Sequence, residues 1–122
     1  RVLNDDVSID WYKQAFELDV VDQLDFATFR LTYLANPASG FELELTLNKD
    51  RTEAYDLGAG YGHLAFVVEN VDAHHAALTA KDIDVGDLVD FAPGGDLVAR
   101  FFFATDPDGY KIEVIQKGGR FH

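Results

Sequence analysis

One order of strand and helix signals occurs twice in this chain, and that repeat limits the fold more than any single motif. Aligning "RVLNDD" with "VVENVD" sets Asn4 on Asn70 and Asp6 on Asp72. The same register pairs "FELELTL" with "YKIEVIQ" and brings Glu44 and Glu113 to nearly corresponding positions. Each half reads as a strand, a helix, and then strands that end on one carrying an inward carboxylate. The expected class is therefore α+β: two βαβββ modules that form a cupped, mixed sheet with a polar floor. A chain of 122 residues is one domain's worth. Module one is expected over about 1–50 and module two over about 61–118 of a single domain, 1–122.

In the first module, "DDVSIDWYKQAFE" predicts a helix with Asp5 or Asp6 as N-cap and Val7, Trp11, Ala15 and Phe16 on its apolar face. "FATFRLTYLA" and "FELELTLN" alternate as strands do, and the turn-rich "NPASG" joins them. Phe41, Leu43, Leu45 and Leu47 share one face of the second strand, and Glu42, Glu44, Thr46 and Asn48 the other. In the second module "HLAFVV" is a strand and "VDAHHAALTAK" a helix capped by Asp72. "DIDVGDLVDFAPGGDL" should hold a short strand and a mobile loop. "VARFFFAT" and "YKIEVIQ" are strands joined by "DPDG", a type I turn. "RVLN" reads as the tail of a strand, so the start of the first strand, and with it the natural N-terminus, is expected to be missing.

The charge balance narrows the partners. A formal net charge of −12 excludes nucleic acid and an anionic membrane surface. No apolar run approaches the ~20 residues of a membrane span. The absence of cysteine removes disulfides, thiolate metal sites and thiol nucleophiles, and fits a reducing, cytoplasmic location. An anionic ligand would need local cations, for which Arg1, Lys49, Arg51, Arg100 and Lys111 are the candidates.

His63 opens its strand, and Glu113 follows it by 50 residues. With Glu44, these residues offer imidazole and carboxylate donors on strand faces that point the same way. That donor set suits a borderline divalent metal acting as a Lewis acid, with a carboxylate that can also move protons. Taken singly, each has a plainer reading. His63 would be an edge histidine, Glu44 and Glu113 solvated carboxylates, and Lys111 an ion-pair partner of Glu113. His74 and His75 read as surface residues facing different ways, and His122 as a disordered terminus.

Three segments, "ELTLN", "GYGH" and "DPDGYKIE", occur in that order, and together the chain resembles glyoxalase I (lactoylglutathione lyase) of the vicinal oxygen chelate superfamily, in its short bacterial form. The resemblance covers essentially the whole chain. It implies that Glu44, His63 and Glu113 are metal ligands. The fourth would be a histidine four positions before the arginine that Arg1 resembles. It implies a homodimer with shared active sites, Glu44 coming from one chain and His63 with Glu113 from the other. Arg1 and Asn48 match positions that contact glutathione. The implied reaction isomerises the hemithioacetal of methylglyoxal and glutathione, or another small thiol, to S-lactoylglutathione through an enediolate. Glu113 would be the base and Glu44 the candidate proton shuttle. Ala59 stands where some members carry an arginine, as in the shorter subgroup, which prefers nickel or cobalt to zinc. Two other readings stay open: an epimerase using the same metal site, and a metal-free ligand-binding protein of the same superfamily.

Overall fold

The computed structural model describes residues 1–122, which divide into two compact units, Arg1–Asp56 and Leu57–His122. In the first, helix α1 (Asp5–Phe16) precedes strands β1 (Asp19–Asp25), β2 (Phe29–Ala35) and β3 (Leu43–Asn48), which form an antiparallel sheet in that order. Val2 adds a parallel bridge to Leu47 on the free side of β3. In the second, β4 (Leu64–Val68) leads into α2 (Val71–Ala80), followed by β5 (Val89–Phe91), β6 (Ala99–Thr105) and β7 (Lys111–Gln116). Its sheet runs β4-β7-β6-β5, with β4 parallel to β7 and the other pairs antiparallel.

The same register recurs in both units. Tyr33 faces Glu44 across β2 and β3, and Phe103 faces Glu113 across β6 and β7. Val2 meets Leu47 in parallel, as Val68 meets Gln116. Each helix begins on an asparagine. Asn4 Oδ1 accepts from Val7 N at 3.2 Å, and Asn70 Oδ1 accepts from Ala73 N at 2.9 Å.

The caps are therefore Asn4 and Asn70, not the expected Asp5 or Asp6 and Asp72. The reason is competition for the carboxylates. Arg30 Nε and Nη2 donate to Asp5 at 2.7 and 3.1 Å, and Arg100 Nε and Nη2 donate to Asp72 at 3.1 and 2.7 Å. The first of these clamps also turns the helix. Asp5, Ser8, Tyr12, Ala15 and Phe16 face inward, whereas Val7, expected on the apolar face, is 49% exposed. The core of the first unit is completed by Val2, Leu18, Leu34 and Leu45, and that of the second by Phe102, Ile112, Val114, Val71 and Leu78.

Strand β1 is the strand that a βαβββ module requires directly after its helix, but no segment of the sequence reads as that strand. A bulge between Val20 and Asp22 shifts its pairing with β2, so its side chains do not alternate cleanly, and all seven residues are exposed. The "DPDG" turn closes with Gly109 N on Asp106 O at 3.0 Å. Asp106 Oδ1 accepts from Asp108 N and Tyr110 N, which fixes the approach to β7.

Arg30 supports a stability prediction. Arg30→Ala leaves the nearly buried Asp5 carboxylate without its two-pronged partner. Leaving a nearly buried carboxylate unpaired destabilises the fold, so the midpoint of unfolding is expected to fall. Urea unfolding with an unchanged m-value would measure it.

Candidate active site

His63 lies one residue before β4, and Glu113 in the middle of β7, the strand parallel to β4. The segment that carries His63 is fastened by Tyr61. Its hydroxyl donates to Lys111 O at 2.9 Å and accepts from Leu64 N at 3.2 Å, and its ring meets Tyr110 edge-on at 5.1 Å. Burial, together with the charge of Asp106, raises the Tyr61 phenol above its ordinary pKa although the Leu64 amide opposes it. The hydroxyl therefore stays protonated and able to donate.

These constraints bring His63 Nε2 to 3.3 Å from Glu113 Oε2. The imidazole and the Phe103 ring meet in a T-shaped arrangement, with ring centres 5.3 Å apart. The histidine side chain is 43% exposed and the carboxylate 16%, so a ligand can reach both while one face of the carboxylate remains covered. The pair is ionic only while the imidazole is protonated. Neighbouring ligands on an octahedral ion with bonds of about 2.1 Å lie about 3 Å apart. The observed separation therefore fits two adjacent positions on one ion. No third histidine, aspartate or glutamate joins them to make a group of three within either unit.

Glu44, the third expected ligand, lies in the first unit, as the second residue of β3. Tyr33 is its partner on the facing strand, and Thr46 Oγ1 donates to Glu44 Oε1 at 3.4 Å. The nearby Glu44 carboxylate, followed by partial burial and the charges of Asp22 and Glu42, raises the Tyr33 phenol above its ordinary pKa. Sequence reasoning missed Tyr33 because its place opposite Glu44 emerges only from the strand register.

Asn48, at the end of β3, donates from Nδ2 to Tyr55 Oη at 3.0 Å. It lines a cavity of about 250 Å³ with Asp50, Arg51 and Tyr55. Arg51 is held flat over the Tyr55 ring at 4.5 Å by bonds to Glu53 O and Ala54 O. Of the other expected cations, Lys49 pairs with Asp25, and Arg100 with Asp72 and Asp90. Lys111 donates to Thr105 Oγ1 at 2.6 Å, so the expected Lys111–Glu113 pair is replaced by the His63 contact. Arg1 is exposed at the start of the chain.

His74 and His75, expected on the surface, are half-buried against Phe102. His75 Nε2 also meets Gly86 O at 2.8 Å, so these histidines serve the packing of α2. No helix is long and apolar enough to cross a membrane.

Paired modules of this register, with an imidazole and a carboxylate converging at one sheet edge, define a class. The family model of the Glyoxalase/Bleomycin resistance protein/Dioxygenase superfamily matches residues 1–114, and the chain belongs to that superfamily. Within it, the chain is a glyoxalase-I-like enzyme of the lactoylglutathione lyase type. It is 38% identical to a lactoylglutathione lyase of Neisseria meningitidis, over 96% of this chain and 86% of the relative. The solved structure of the trypanothione-dependent glyoxalase I of Leishmania major is 31% identical, with a TM-score of 0.77 over 95% of this chain and 81% of that one. Glyoxalase I of Zea mays is 27% identical with a TM-score of 0.83, over 98% of this chain and 43% of that longer one. The fold is thus the α+β arrangement of the glyoxalase I enzymes, with one mixed and one antiparallel sheet.

Proposed function

We propose that the chain, acting as one domain over residues 1–122, isomerises the hemithioacetal of methylglyoxal and a small thiol, glutathione first among them, to the S-lactoyl thioester. The observation that carries this reading is the 3.3 Å approach of His63 Nε2 to Glu113 Oε2. Those two donors fit a divalent metal, nickel or cobalt in preference to zinc. Glu44 would be supplied by a second copy, in a homodimer with shared sites. A divalent ion held there would polarise the two vicinal oxygens of the substrate.

The chain's own residues carry the proton chemistry. Glu113, as carboxylate, takes the proton from the carbon that bears sulfur and hydroxyl. The same proton is then delivered to the neighbouring carbonyl carbon. The hydroxyl proton passes between the two oxygens, with Glu44 as its carrier. No atom is lost, and the outcome is a thioester with an adjacent alcohol. The partial cover over Glu113 supports this role, since a base shielded from bulk water keeps its proton for the return step. Arg1 and Asn48 would bind the thiol carrier's polar end. Arg51 offers a guanidinium donor beside Asn48 in the same cavity, where Asp50 balances its charge.

The test is metal loading followed by turnover. Protein stripped of metal and reloaded with nickel, cobalt or zinc is offered methylglyoxal hemithioacetals of glutathione and of other thiols. Thioester formation, fastest with nickel or cobalt, is expected. Metal uptake without thioester from any thiol would favour an epimerase, and no metal uptake would favour a metal-free binding protein.

A further inference from the structure

His63 reaches Glu113 at the end of a segment in which two glycines stand in open space. Gly60 and Gly62 flank Tyr61, and a Cβ added at either would meet no atom within 4 Å. His63 itself stands one residue before the first paired position of β4, Leu64 with Ile112. Glycine loses more backbone freedom on ordering than any other residue, so such a segment resists being held in one place.

The Tyr61 hydroxyl supplies the hold. It accepts from Leu64 N at 3.2 Å and donates to Lys111 O at 2.9 Å, so one oxygen ties the open end of β4 to β7. The residues it ties adjoin the pair, since Leu64 follows His63 and Lys111 lies two before Glu113. Its ring meets Tyr110, whose amide donates to the buried Asp106 at 2.9 Å. The tether therefore runs back to the turn that leads into β7. We propose that Tyr61 is a positioning residue that sets metal affinity by holding His63 beside Glu113 before the ion arrives. The cost of ordering the glycine-flanked segment is then met in the fold and not at binding. This inference rests on the metal-dependent reading above and adds to it the group that keeps one of its ligands in place.

Nickel ion is the probe, and calorimetric titration the first readout. Tyr61→Phe keeps the ring and loses the tether; nickel binding is expected to weaken about tenfold, as on loss of a group that orients a ligand. Gly62→Ala stiffens the same segment, in open space and at a backbone position outside the left-handed region. Alone it should change nickel affinity little; in the Tyr61→Phe background it should recover about threefold of the loss. Hydrogen exchange on the metal-free protein separates a local tether from a general loosening. In Tyr61→Phe the Leu64 amide should exchange about tenfold faster, with the Ile112 and Val114 amides unchanged. An unchanged nickel affinity, a loss that Gly62→Ala does not recover, or core amides that quicken along with Leu64 would each overturn the positioning role alone. A wild-type protein that takes up no nickel overturns the metal-dependent reading, and the positioning role with it.

Discussion

Glu113→Gln is expected to lower kcat by about two to four orders of magnitude, the usual contribution of a positioned general base. The substitution keeps the shape of the side chain and its place between Ala65 and Phe103 in the sheet. It removes the negative charge and the ability to accept a proton from carbon. The melting curve should therefore stay within a degree or so of wild type, because the neighbours Ile112 and Val114, which build the core, are untouched. KM should change little, since the thiol carrier's polar end is assigned to Arg1 and Asn48, not to this strand. Steady-state kinetics on protein of measured metal content separates loss of the base from loss of the ion. Full occupancy with wild-type turnover would remove Glu113 from the proton transfer.

The topology was legible because it is written twice. A repeat with "DPDG" and two alternating carboxylate strands leaves few arrangements, and the register of Glu44 with Glu113 emerges from alignment alone. What was hidden depended on partners far apart in sequence. Asp5 looked like a helix cap until Arg30, 25 residues on, claimed its carboxylate. Once that clamp forms, Asn4 becomes the cap and the buried face of α1 turns away from Val7. Strand β1 was hidden by its bulge, which breaks the alternation that marks a strand. At the site, the His63–Glu113 approach followed from spacing and strand order. The Tyr33 hydroxyl did not, because a tyrosine in an alternating strand gives no local sign of what faces it. The half-buried setting of His74 and His75 was missed for a similar reason, since Phe102 reaches them from another strand.

His63→Ala is expected to weaken metal binding by at least about a hundredfold, beyond the effect of removing an orienting group. The side chain is 43% exposed, and its one ring contact is a T-shaped one with Phe103, so the fold should survive. His75→Ala provides the matching control. It removes a half-buried ring and a 2.8 Å contact with Gly86 O, and should cost stability of about 1 kcal/mol. It should leave metal affinity where it was, since α2 contributes no donor to the pair. The two substitutions thus invert one another, one losing metal and the other stability. The wild-type affinity must also fall as pH is lowered, because protons compete for imidazole and carboxylate alike. In His63→Ala one of those competitions is gone, so the dependence of affinity on pH should become shallower. An equally steep dependence in the variant would mean that the proton released on metal binding comes from another residue, and His63 would no longer be a ligand.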